Sequence, residues 1–208
     1  MHHESTSTNF AWLPHNVDPS IETPEEYKDM PIQPLGDMQA KYLKYMNGCV
    51  DYYKKKGERC WWNERDRIEM SLRQPQSMRN YTELGFTKIR APDHVFQLIK
   101  DFWEANKHQE RPERWPVANV YVNHWEQPTS MVSVEDSSLD GGGYVLKQHI
   151  WNAARDTISE WTGQQLAECS LYGIRVYKEG AILSPHVDRL PLVSSAIINV
   201  DQDVDEPW

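Results

Sequence analysis

The stretch Leu171–Val200, LYGIRVYKEGAILSPHVDRLPLVSSAIINV, departs in period from the helical pattern just before it. Tyr172, Ile174 and Val176 alternate with Leu171, Gly173, Arg175 and Tyr177, and a repeat of two marks a strand whose side chains point in turn to opposite faces. Lys178-Glu179-Gly180 supplies a turn, after which Ala181–Asp188 and Ser194–Val200 read as a second and a third strand. On that reading His186 and Asp188, separated by one residue, present an imidazole nitrogen and a carboxylate oxygen to the same side.

A neutral imidazole beside a carboxylate is a chelate for a divalent ion of borderline softness. If a second histidine joins them from another strand, the set becomes the facial triad of non-haem iron(II) oxygenases, with positions left open for co-substrate and oxygen. A His-x-Asp tripeptide alone also occurs by chance in exposed turns. Its weight comes from its surroundings, a Tyr177-x-x-Gly180 turn before it and a strand carrying Asn199 after it.

Upstream the period is helical. Met38, Tyr42, Tyr45, Met46, Cys49, Val50 and Tyr53 recur at three and four residues and predict a helix from Asp37, with Gly57 as its stop. Cys60-Trp61-Trp62 reads as core packing. A second helix is predicted from Asp93, a good N-cap, through Val95, Phe96, Ile99, Phe102 and Trp103. A third runs through Val145, Ile150, Ala153, Ala154, Ile158 and Trp161 to Thr162-Gly163. Segments 117–125 and 129–136 carry the β-branched and aromatic residues of short strands. Gly141-Gly142-Gly143 has neither a following GKS nor GxGxxG spacing, so it reads as a connection and not a phosphate loop. Helices followed by strands indicate an α+β class, helices buttressing a mainly antiparallel sheet.

The 208 residues and formal charge of −9, with no basic block, exclude nucleic acid as a principal partner. Residues 1–36, rich in proline, serine, threonine and acidic groups, read as an irregular N-terminal segment, and 37–208 as one domain. The adjacent His2 and His3 read as a solvated terminus. The beginning lacks the cationic and apolar blocks of a signal peptide, and no apolar run reaches the roughly 20 residues that span a bilayer. The compartment stays open. Cys49, Cys60 and Cys169 form no CxxC pair and read as free thiols, with a Cys49–Cys60 bond the alternative in an oxidising compartment.

Arg175-Val176-Tyr177, the turn at Gly180, His186-Val187-Asp188 and Ile197-Ile198-Asn199-Val200 together resemble the start of the double-stranded β-helix in iron(II)- and 2-oxoglutarate-dependent dioxygenases of the prolyl 4-hydroxylase type. The resemblance implies a jelly-roll, cupin-like fold buttressed by helices. It implies that His186 and Asp188 match the first two iron ligands, with no catalytic side chain beyond the ligands, and that Tyr177 hydrogen-bonds 2-oxoglutarate. Arg175 would line the pocket or pair with a nearby carboxylate, Asn199 would line the pocket, and Arg189 would guide an anionic substrate. Iron(II), 2-oxoglutarate and oxygen are the implied cofactor and co-substrates, with ascorbate a further candidate. The reaction implied is hydroxylation of a substrate C–H bond, on peptidyl proline, another side chain or a small molecule.

The sequence departs from this pattern after Asp188. No histidine follows His186, whereas the family takes its third ligand, and then an arginine or lysine for the distal carboxylate of 2-oxoglutarate, from downstream strands. The expectation is therefore an incomplete β-helix lacking its distal strands in a C-terminally truncated chain. His94, His108, His124 and His149 are read as helix or loop surface and not as substitutes. The competing class is a non-catalytic β-helix relative, or inactive truncated paralogue, acting as an interaction module through its aromatic surfaces. Paired acidic residues such as Glu135 and Asp136 are a poor hydrolase site, because neighbours on a strand point apart.

Overall fold

The computed structural model describes residues 39–205. The predicted N-terminal segment 1–36, with His2 and His3, lies outside them. The helices are α1 (Gln39–Tyr53), α2 (Glu58–Ser77), α3 (Asp93–Asn106) and α4 (Tyr144–Thr162), and the strands are β1 (Arg111–Pro112), β2 (Ser130–Ser133) and β3 (Gly173–Val176). They fall into two compact units. The first gathers the described residues up to Arg79 with Arg114–Pro128 and Lys178–Val187; the second gathers Asn80–Glu113, Thr129–Tyr177 and the described residues from Asp188 onward.

In the first unit, α1 buries Tyr42, Tyr45, Met46 and Cys49 on one stripe, as their three- and four-residue spacing requires. They pack with Cys60, Ala118 and Val120, flanked by Trp125 and Ile182. The helix stops at Tyr53, earlier than Gly57. Lys54 takes a left-handed backbone (φ 48°), and a short 3-10 turn over Lys54–Lys56 leads into α2. Cys49 and Cys60 are joined by a disulfide that ties α1 to the first turn of α2. That corrects the reading of both as free thiols: two cysteines on facing buried stripes, with Cα atoms 6.2 Å apart, lie within bonding reach. The Trp61 and Trp62 side chains, expected in the core beside Cys60, are exposed. On a helix, successive residues point about 100° apart, so Cys60 turns inward and its neighbours do not.

In the second unit, β1, β2 and β3 form an antiparallel sheet in that order, with Met131 opposite Arg175 and Ser133 opposite Gly173. Gly173 has φ 154°, and a Cβ there would stand 2.3 Å from the Val132 carbonyl oxygen, so only glycine lets β3 approach β2 this closely. Val132 and Val134 meet Val95, Ile99 and Phe102 of α3 and Ile150 of α4 in the core. Helix α4 ends as predicted, with Gly163 in the left-handed conformation as its C-cap. Asn106, buried at the end of α3, exchanges two hydrogen bonds of 2.9 Å with the backbone of Asp140 and so fixes the glycine-rich connection.

Three predicted strands, in 117–125, 181–188 and 194–200, do not form as strands. Ala181–Asp188 makes a single bridge, Leu183 to Val122, and Ser194–Val200 has no ladder partner among the described residues. A strand exists only where a neighbour takes its backbone groups. Segment 194–200 nevertheless keeps the alternation of an extended chain. Ile198 and Val200 pack on the core of the second unit while Ile197 and Asn199 are exposed.

Candidate functional site

His186 is positioned within the first unit by the chain segments around it. Ser184 donates its backbone N–H to the Tyr121 carbonyl at 2.8 Å beside the Val122–Leu183 bridge. Its buried hydroxyl lies 2.9 Å from the Val120 carbonyl oxygen and 3.1 Å from Tyr45 Oη, which itself donates to Val120 at 2.5 Å. Asn123, fully buried, accepts from the Ile182 N–H through Oδ1 and donates to the Gly180 carbonyl through Nδ2, both at 2.8 Å. The turn at Gly180 is thereby fixed to segment 120–123.

His186 Nδ1 stands 2.7 Å from the Ser184 carbonyl oxygen. A carbonyl can only accept, so the neutral ring holds its proton on Nδ1 and its lone pair on Nε2. A backbone carbonyl holding one imidazole N–H is the arrangement that sets the ring of a metal-ligating histidine. Tyr121 packs edge-on against the ring, with centroids 5.1 Å apart.

Beneath this segment lies a buried polar network. Arg67 and Glu64, one turn apart on α2 and each 2% exposed in the side chain, form a two-pronged ion pair with contacts of 2.7 Å and 2.6 Å. A further guanidinium N–H of Arg67 donates to the carbonyl of Pro185. Burial works against the Arg67 charge, but Glu64 more than offsets it and holds the guanidinium pKa above its ordinary value. Burial, reinforced by Glu64, pushes the Tyr42 phenol well above the usual range, so it remains a donor to that carboxylate. Burial does the same at Tyr45.

The remaining predicted site residues lie in the second unit, and the boundary between units falls in the chain between Val187 and Asp188. Asp188 is exposed and accepts a hydrogen bond from Ser195 Oγ at 2.6 Å. Arg175 makes a forked ion pair with Glu113 at 2.8 Å and 3.0 Å. Burial opposes its charge, yet hydrogen bonds with Glu113 and with Tyr177 raise its pKa. Tyr177, one residue beyond β3, is thus tied to Arg175. The exposed Asn199 donates to Gln202 at 2.8 Å and lines a cleft of about 530 Å³ with Ile89, Pro92, Phe96 and Ile158. Arg189 is exposed, its carbonyl accepting from the Leu192 N–H at 3.1 Å.

Of the upstream histidines, His94, His108 and His149 are exposed as expected. His124 is not a surface residue: it is half-buried, with Nε2 2.6 Å from Tyr53 Oη and Nδ1 3.2 Å from the Val122 carbonyl oxygen. Burial lowers its pKa. Among the described residues no three His, Cys, Asp or Glu side chains gather as a metal site, and no helix is long and apolar enough to cross a membrane.

Sequence reasoning missed Arg67, Glu64, Ser184 and Asn123. Each is a polar residue in a buried position, which a search for apolar periodicity passes over. The spacing Cys60, Glu64, Arg67, Ser71 does carry the helical signal, with polar side chains standing where apolar ones are expected. Comparison with protein-family models, with curated proteins and with solved structures gave no match for this chain.

Proposed function

We propose that the chain carries the first part of an iron(II)- and 2-oxoglutarate-dependent dioxygenase site, with His186 and Asp188 as two of its protein ligands. The observation that carries the reading is the hydrogen bond of His186 Nδ1 to the Ser184 carbonyl, which puts the lone pair on Nε2 in a His-x-Asp sequence. The donor set, one imidazole and one carboxylate, suits iron(II). When bound, the iron supplies activation of oxygen coupled to decarboxylation of 2-oxoglutarate, by which a substrate C–H bond is hydroxylated. The Ser184 carbonyl orients His186, and Ser195 orients the Asp188 carboxylate.

Tyr177 is the residue proposed to hydrogen-bond 2-oxoglutarate. Arg175 supports Tyr177 and is neutralised by Glu113, so its charge is already matched within the second unit. Arg189 and Asn199, both exposed, are proposed to contact the substrate and the pocket wall respectively. Peptidyl proline is the first substrate class, followed by small molecules, and ascorbate is the proposed reductant. The fold proposed for the whole is the double-stranded β-helix.

The reading requires a third ligand, followed by an arginine or lysine for the distal carboxylate, and no histidine follows His186. Sequencing the transcript beyond the codon for Trp208 tests this. A histidine followed by an arginine or lysine within several dozen codons supports the dioxygenase, and His186→Ala should then abolish succinate release from 2-oxoglutarate. A stop codon at that point contradicts catalysis and favours the interaction module.

A further inference from the structure

We infer that Arg67, on α2, is a positioning residue for His186. The inference rests on the proposed ligand role of His186, but its geometry stands independently. Arg67 is 3% exposed, and its forked pair with Glu64 accounts for two sides of the guanidinium. A third N–H, on Nη1, goes to the carbonyl of Pro185, the residue immediately before His186. Proline has no N–H, so the backbone at Pro185 can be held by hydrogen bonding only through that carbonyl. Ser184, one residue earlier, is held by Tyr121 and Val120 and by Tyr45 Oη, and it in turn accepts the Nδ1 proton of His186. The imidazole therefore stands at the end of a segment fixed from below by Arg67 and from the side by Ser184.

The charge pairing fits the same role. A bare guanidinium behind a ligand would repel a divalent cation, whereas Glu64 cancels it locally and leaves the directed N–H. The Cys49–Cys60 bond and the Tyr42 hydrogen bond to Glu64 tie α2 to α1, so the arginine is presented from a braced surface.

The test replaces the pair by apolar groups of similar volume, Glu64→Leu with Arg67→Met, which leaves no unpaired buried charge and is expected to preserve the fold. Arg67→Lys, which keeps the charge but not the fork, serves as the second variant. The first readout is metal-free: long-range nitrogen–proton spectra of the His186 ring in the full chain. The wild type should show one Nδ1–H tautomer. A folded double variant should show exchange between tautomers, and Arg67→Lys should fall between. The second readout is the concentration of Mn(II) needed to broaden the His186 resonances, expected to rise about 10- to 100-fold in the double variant. An unchanged tautomer and unchanged Mn(II) response in a folded variant would overturn the inference. A wild-type chain that ignores Mn(II) while the tautomer still depends on Arg67 would overturn the ligand reading and leave the positioning of the ring standing.

Discussion

Glu64 and Arg67 place two opposite charges where a core helix ordinarily carries leucines, and each is tolerable only because the other is there. Removing one partner is therefore far worse than removing both. Glu64→Gln, leaving Arg67 buried without its carboxylate, is expected to cost roughly 3–5 kcal/mol. The Glu64→Leu, Arg67→Met pair should cost much less, and urea midpoints of the three chains measure the contrast. His124 makes a second prediction at this scale. Burial lowers its folded pKa below the unfolded value of about 6.5. Above that pH both states are neutral and the residue contributes no pH dependence. As pH falls through about 6.5 the unfolded chain takes up a proton that the folded chain resists, so stability declines until the folded pKa is reached and then levels off. His124→Gln should flatten that part of the profile, read by tryptophan fluorescence during urea unfolding at a series of pH values.

At the scale of elements, the disulfide and Gly173 are the features whose loss should show most clearly. Opening the Cys49–Cys60 bond, by reductant or Cys60→Ala, should lower the stability of the first unit by roughly 2–4 kcal/mol, measured as a shift in urea midpoint. Gly173→Ala forces a side chain against the Val132 carbonyl and a backbone conformation that costs about 1–3 kcal/mol. Amide exchange at the β2–β3 ladder should rise even where the fold survives. Helices α1, α3 and α4 were legible in the sequence because their buried stripes are apolar and regularly spaced. Helix α2 was not, because Glu64 and Arg67 occupy its buried face and break the apolar pattern. Strand β3 was legible from its period of two. The extended segments 181–188 and 194–200 show the limit of that signal, since alternation reports side-chain direction and cannot report whether a partner strand is present. Tyr177 and Arg175 were legible as a pair, but the carboxylate that Arg175 would meet, Glu113, lies 62 positions away and no local pattern marks it.

For the whole molecule, the described chain is two compact units, each assembled from three separate stretches of sequence. The candidate ligands, His186 and Asp188, fall in different units although one residue separates them in the chain. The spacing was legible; the network fixing His186 was not, because Arg67 and Ser184 stand 118 and 64 positions from the residues they hold, Pro185 and Val120. The most direct test of the iron-site reading is a titration of the chain with Mn(II), a spectroscopic stand-in for iron(II), while the His186 ring and the Asp188 and Ser195 backbone amides are observed by NMR. The account predicts selective broadening at these residues, lost in Asp188→Asn and in His186→Ala. Broadening spread over the acidic surface, or unchanged in Asp188→Asn, would contradict it.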